Sequence, residues 1–172
     1  GVCPGSAERA EVVLLLDTSR SMNWHGALDR ARELALAFLD GLDPRAVLAA
    51  LVTFDSDAAL HVPLTSDLGA LAERIAALDA WGDSRLATGL EAAAAELGGP
   101  RDEPGARRLV LVITDGEYTD VARGAAEAVR ASGIEIVAIA LPHGGVSSYL
   151  YSLVTVTGDR ERVLVDPDVR VV

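Results

Sequence analysis

Residues 11–21 read Glu11-Val12-Val13-Leu14-Leu15-Leu16-Asp17-Thr18-Ser19-Arg20-Ser21. Five consecutive apolar residues, Val12 to Leu16, between polar neighbours mark a strand buried on both faces of a parallel sheet, where no solvent side asks for alternation. The run stops at an acid, Asp17, and a polar turn follows. Further along, Val47 to Phe54, Leu109 to Thr114 and Ile134 to Leu141 read as apolar strands, and the second of these also runs into an acid, Asp115. A weaker strand, Ala58 to Val62, is separated from Val47 to Phe54 only by Asp55-Ser56-Asp57, a trio that makes an antiparallel hairpin and places this strand at a sheet edge. Asp55 and Asp57 are read as turn residues rather than ligands. Arg162 to Val165 is the last expected strand.

Helices fall between the strands. From Gly26 to Leu42 the residues Leu28, Ala31, Leu34, Ala35, Phe38 and Leu42 recur at helical spacing, with charged residues between them. Ser66 is the expected N-cap of a helix carrying Leu68, Leu71, Ile75 and Leu78. Another helix, Ala87 to Leu97, is ended by Gly98-Gly99-Pro100 and followed by a polar loop to Gly105. Val121 to Ala131 is a further helix stopped by Gly133, and Tyr149 to Val156 a short one. Regular alternation predicts an α/β fold: a doubly wound, mostly parallel open sheet with one antiparallel edge strand and helices on both faces. Residues 1–10 are expected to be an N-terminal extension and 11–172 a single domain.

Composition narrows the function. The 26 acidic residues outnumber the 15 basic ones, giving a net charge of −11, and every basic residue is Arg. Such a chain lacks the clustered positive charge of a nucleic-acid groove or a surface for anionic membranes; cations and basic partners suit it better. No apolar run is long enough to cross a membrane, so direct membrane insertion is not expected. Cys3 is the single cysteine, which leaves no internal disulfide and no zinc site built on several thiolates.

In doubly wound folds ligands bind beyond the carboxyl ends of the strands, where strand order reverses. Asp17-Thr18-Ser19-Arg20-Ser21 lets one tight loop aim a carboxylate and two hydroxyls at a single point. Asp115-Gly116-Glu117 places a second acid beside Asp17 if their strands are neighbours, and Gly82-Asp83-Ser84 adds a third oxygen-rich loop just before a helix. Hard divalent cations take such oxygen ligands.

Together these residues resemble a von Willebrand factor type A domain, a Rossmann-like family that includes integrin inserted domains and domains of matrilins and collagens. The resemblance covers nearly the whole chain. The family's metal-ion-dependent adhesion site uses Asp-x-Ser-x-Ser, matched by Asp17, Ser19 and Ser21, then a Thr on a second loop and an Asp on a third. Ile113-Thr114-Asp115-Gly116 supplies Asp115. Against the family's Gly-Gly-Thr-x-x-Gly-x-x-Leu this chain has Gly82-Asp83-Ser84-Arg85-Leu86-Ala87-Thr88-Gly89-Leu90, so Ser84 takes the Thr position, and Thr88, inside the expected helix, ranks below it.

The resemblance implies Mg²⁺, with Mn²⁺ also accommodated and Ca²⁺ ranked below them. It also implies a coordination position left for a Glu or Asp carboxylate of a partner protein. The function it implies is a non-catalytic adhesion module. The alternative is an intracellular scaffold or subunit of an AAA-type ATPase, chelatase or bacterial multiprotein system using the same site. The acidic surface and Cys3 lean towards an extracellular or cell-surface setting, with a cytoplasmic one as the alternative. Matrilin-like members often carry a cysteine near Cys3 that pairs with another beyond the final helix, and that partner is absent here. The family's final amphipathic helix, which carries the affinity switch in integrin-type members, is not evident before Val172. Either it lies outside this sequence or this member binds constitutively. No nucleophile elbow, phosphate loop or zinc signature points to an enzyme. Partner identity and oligomeric state are not encoded in these motifs.

Trp24, His25, Trp81 and Glu117 adjoin the candidate loops and are the candidate partner-binding rim, although core packing is the favoured reading for both tryptophans. His61 and His143 are read as surface or loop residues. Asp17→Ala and Asp115→Ala are expected to abolish metal binding and spare the fold, on the expectation that both acids face solvent.

Overall fold

A computed structural model of the chain describes residues 9–100, 104–116, 120–141 and 153–166. The first strand, β1 (Ala10–Asp17), is paired in parallel on one side with β2 (Val47–Phe54) and on the other with β4 (Arg107–Thr114). Leu14 lies opposite both Leu51 and Leu111, which is why its run is continuously apolar: Val13 to Leu16 are wholly buried. The sheet continues through β3 (Ala58–Thr65), antiparallel to β2 at one edge, and through β5 (Glu135–Ala140) and the short β6 (Val163–Val165) at the other. The spatial order is β3-β2-β1-β4-β5-β6. The expected α/β class and the antiparallel edge strand are both observed.

Successive β1 side chains feed two cores. Val13 and Leu15 join Leu86, Leu90, Ala93, Ala126 and Val129 beneath α3 (Leu86–Leu97) and α4 (Asp120–Ala131). Leu14 and Leu16 join Leu28, Ala31, Ala35, Leu71 and Ile75 beneath α1 (Ala27–Asp40) and α2 (Leu68–Ala76) on the other face. No helix among the described residues is long and apolar enough to cross a membrane.

Local chemistry explains where the elements depart from expectation. The cap of α2 is Asp67 rather than Ser66: its Oδ1 accepts from Ala70 N at 3.2 Å, the third helical amide, which a side chain one residue earlier does not serve. Strand β3 runs on to Thr65 past Pro63, because the pairing shifts between Leu51↔Val62 and Ala49↔Thr65 and Pro63 falls in that irregularity, where no ladder bond is asked of it. Gly133 follows α4 at φ +84°. Residues 153–157 are helical, whereas the remainder of the expected Tyr149 to Val156 helix lies outside the described residues.

His61 is a correction. It is half-buried on β3, with Nε2 2.8 Å from Thr53 Oγ1 and Nδ1 accepting from Arg74 Nε at 3.0 Å. Burial, and then the nearby Arg74 charge, hold its pKa below the usual histidine value, so the neutral ring with its proton on Nε2 fits both contacts. Cys3 and His143 lie outside the described residues.

Beyond β6 the chain is tied back to α1. Asp166 N donates to Ala140 O at 3.1 Å, and its buried carboxylate takes a two-pronged contact from Arg30, Nε at 2.6 Å and Nη2 at 2.7 Å.

Candidate metal centre

Strand order reverses between β1 and β4, so the turns leaving these two strands face one crevice. In the first, Ser19 N donates to Asp17 Oδ1 at 2.8 Å, closing the turn on the carboxylate, while Thr18 N and Oγ1 both reach Phe54 O on β2. A short 3-10 turn, Arg20–Asn23, follows, and its Met22 is wholly buried as an anchor. The turn brings Ser19 Oγ and Ser21 Oγ to 3.2 Å.

The second loop is held by backbone groups. Trp81 N donates to Thr18 O at 2.8 Å, Arg20 N to Gly82 O at 3.0 Å, and Asn23 Nδ2 to Ala80 O at 2.6 Å. On its other flank Asp83 N donates to Ser56 Oγ at 2.8 Å and Arg85 N to Asp55 O at 2.9 Å. Gly82 has φ +83°, and a β-carbon there would lie 2.7 Å from Ser56 Oγ, so both conformation and space require glycine. Asp55 and Asp57 do close the β2–β3 turn, Asp57 N donating to Asp55 Oδ1 at 3.0 Å. That this same turn braces the second loop was not foreseen, because both contacts are donated by main-chain amides, of Asp83 and Arg85, that carry no sequence signal.

The third loop leaves β4. Thr114 Oγ1 donates to Asp17 Oδ2 at 2.7 Å and accepts from Gly116 N at 3.0 Å; Ser21 Oγ donates to Asp115 Oδ1 at 2.8 Å. A β-carbon at Gly116 would sit 3.3 Å from each of Asp17 Oδ2, Ser84 Oγ and Thr114 Oγ1, so these oxygens from all three loops face one small space that glycine leaves open. Asp17, Ser19, Ser21, Ser84 and Asp115 are thus neighbours. Thr88 is not among them: it lies in the first turn of α3 and donates to Arg85 O at 2.8 Å. Thr114, as the group that holds the Asp17 carboxylate, is the residue that sequence reasoning missed. Its only signal was a hydroxyl at the end of an otherwise apolar strand.

Both acids are buried, Asp17 at 0% and Asp115 at 2% exposure, which corrects the expectation that they face solvent. Burial pushes the Asp17 carboxyl up to about 6, against hydrogen bonds from Ser19 and Thr114 that pull it down, and the Asp115 charge adds a smaller upward push. A cation reverses that balance by favouring the ionised form. Ser84 Oγ is buried and makes no hydrogen bond within the chain, a costly state for a hydroxyl that a cation would relieve. Among the described residues no three of His, Cys, Asp and Glu gather as ligands, so an ion here rests on two carboxylates and hydroxyls, a hard all-oxygen set.

At the rim, Trp24 and Trp81 are 52% and 72% exposed, so the packing reading is overturned for both. Each is carried by a turn whose backbone bonds are already committed, Trp24 N to Ser21 O and Trp81 N to Thr18 O, and these turns present the indoles outward. His25 is exposed at φ +55°. Glu117 lies outside the described residues.

The family model for the von Willebrand factor type A domain matches residues 11–170. No curated protein sequence matches the chain. Among solved structures, the vWF domain of a type V pili tip protein from Porphyromonas gingivalis aligns with TM-score 0.81 and 13% identity over 94% of this chain and 90% of that one. BatB from Bacteroides thetaiotaomicron, a conserved hypothetical protein, aligns with TM-score 0.76 and 21% identity over 91% of this chain and 89% of that one. Proximal thread matrix protein 1 from the mussel byssus, with a zinc-occupied MIDAS motif, aligns with TM-score 0.76 and 23% identity over 92% of this chain and 41% of that one.

Proposed function

Since the chain belongs to the von Willebrand factor type A family, whose model spans residues 11–170, we propose that it is a non-catalytic protein-binding module with a metal-ion-dependent adhesion site. Ser19, Ser21 and Ser84 would hold the ion with their hydroxyls, and Asp17 and Asp115 would balance its charge. The observation that carries this reading is the buried Ser84 hydroxyl, which has no hydrogen bond and shares with the Asp17 carboxylate the space beside Gly116. Mg²⁺ is the preferred ion and Mn²⁺ a substitute, because an all-oxygen set of this kind suits hard octahedral cations. The zinc in the MIDAS motif of the byssus protein supports divalent occupancy of such a site on this fold.

When bound, the ion supplies a coordination position that a Glu or Asp carboxylate of a partner protein can fill. The chain's own part is to keep the oxygens in place. Ser19 N and Thr114 Oγ1 fix the two oxygens of Asp17, and Ser21 ties Asp115 to the first loop. The backbone bonds from Thr18 and Arg20 hold the Ser84 loop in register with them. The thread matrix and the pili belong to the neighbours' own descriptions; for this chain the proposal is protein capture through an acidic side chain.

Calorimetric titration of Mg²⁺ into chelator-stripped protein tests the reading. One ion per chain is expected for the wild type, and none for Asp115→Asn, which keeps the shape and loses the charge. Equal heats from the two proteins would contradict it.

A further inference from the structure

The end of β2 and the turn after it offer three acceptors on consecutive residues. Phe54 O accepts from Thr18 N on the first loop at 2.9 Å, Asp55 O from Arg85 N at 2.9 Å, and Ser56 Oγ from Asp83 N at 2.8 Å. The last two bonds fall on the residues either side of Ser84, the candidate ligand whose own hydroxyl makes no hydrogen bond within the chain. Ser84 is therefore placed by the amides of its neighbours and not by its side chain.

The bracket that receives these amides is stiff. Asp57 N donates to Asp55 Oδ1 at 3.0 Å, Ala58 N to Asp57 Oδ1 at 2.9 Å, and Asp55 N to Asp57 O at 2.9 Å, so Ser56 sits at the tip of a turn locked on both sides. Turn and loop also touch: a β-carbon on Gly82 would lie 2.7 Å from Ser56 Oγ and 3.4 Å from Ser56 N. Of the three acceptors, Phe54 O and Asp55 O are main-chain atoms that any residue supplies, whereas Ser56 contributes through its side chain. Asn23 Nδ2 also bonds to this loop, at Ala80 O, but four residues ahead of Ser84. Ser56 and Asp83 are both exposed, so without the Ser56 hydroxyl the Asp83 amide turns to water at little cost to the fold. The segment ahead of Ser84 then gains a freedom that a bound ion must remove.

From this arrangement we infer that Ser56, itself outside the ligand set, is a positioning residue for Ser84: its hydroxyl fixes the Asp83 amide and so sets how strongly the crevice holds a divalent cation. This rests on the metal reading above and adds to it a residue of the β2–β3 turn.

Calorimetric titration with Mg²⁺, carried to millimolar ion, tests this on the wild type, Ser56→Ala, Ser84→Ala and the double variant. Ser56→Ala is expected to lower Mg²⁺ affinity about fivefold, the order of one hydrogen bond, and to leave the urea midpoint in chelator unchanged. In the Ser84→Ala background the same substitution should cost less than about twofold, because the ligand that Ser56 positions is gone. A lowered urea midpoint with Mg²⁺ affinity intact would reduce Ser56 to a structural bond and overturn the inference. An equal loss of affinity in both backgrounds, or equal affinities for the wild type and Ser56→Ala, would overturn it too, and each of these results leaves the metal reading standing. Absence of Mg²⁺ heat in the wild type would overturn both.

Discussion

Asp17 is a carboxylate placed where its charge is costly, at the buried end of the central strand with Asp115 beside it, and held by hydrogen bonds from Ser19 and Thr114. Its folded pKa of about 6 lies above the ordinary 3.8, so the native state holds more protons than the unfolded chain between these values. The stability Asp17 contributes is present below about pH 4 and is lost as pH rises through 6. In chelator, Asp17→Asn, which cannot ionise, should therefore gain on the wild type by a few kcal/mol between pH 4 and pH 7. Urea unfolding at both pH values reads this, and a difference that stays flat would contradict it. Mg²⁺ should stabilise the wild type and not the variant. Ser84→Ala makes the complementary prediction. Because Ser84 Oγ is buried with no hydrogen bond to lose, metal-free stability should hold or rise by up to about 1–2 kcal/mol, whereas calorimetry should show Mg²⁺ affinity down about tenfold or more. At this scale the five candidate ligands were legible because their types and spacing sit at strand ends. The burial of both acids and the part played by Thr114 were not, since they follow from the pairing of β1 with β4, residues almost a hundred positions apart.

Elements show why the strands were easier to read than the loops. Val12 to Leu16 is a continuous apolar run, and Val47 to Phe54 one but for Thr53, because both faces of the sheet are covered, and any sequence able to fill that environment announces it. The cap at Asp67 was missed by one residue because Ser66 and Asp67 are both competent caps and only backbone geometry chooses between them. The tryptophans were misread as packing because the hydrogen bonds that turn their loops outward are made by backbone atoms. Gly89 is a further constraint that sequence alone conceals. It lies where α3 crosses the sheet, and a β-carbon there would meet Phe54 Cβ at 2.9 Å and Leu15 Cδ1 at 3.0 Å. Gly89→Ala improves helix propensity, yet overpacking should outweigh that gain and destabilise the protein by about 1–2 kcal/mol in denaturant unfolding. A more stable variant would show that α3 can lift from the sheet without cost.

Across the whole molecule, the crevice between β1 and β4 depends on contacts far from it in sequence. Arg30 on α1 grips the buried Asp166 after β6, linking the helix that follows the first candidate loop to the last described residue. Asp166→Ala removes this two-pronged pair and leaves Arg30 its more exposed contact with Glu33 at 3.0 Å, so thermal or urea unfolding should show a loss of about 1–2 kcal/mol; an unchanged midpoint would mean the tie carries no load. A net charge of −11 also means that cations gather loosely around the entire surface, so stoichiometry alone does not locate an ion. Position does, and Mn²⁺ reports position through paramagnetic broadening. With substoichiometric Mn²⁺ added to ¹⁵N-labelled, chelator-stripped protein, the amide signals of Ser19, Ser21, Ser84 and Gly116 should broaden first and recover when Mg²⁺ is added in excess. Broadening that spreads over exposed acids such as Asp29, Asp40 and Glu127, with these four signals left sharp, would contradict a cation site at the crevice.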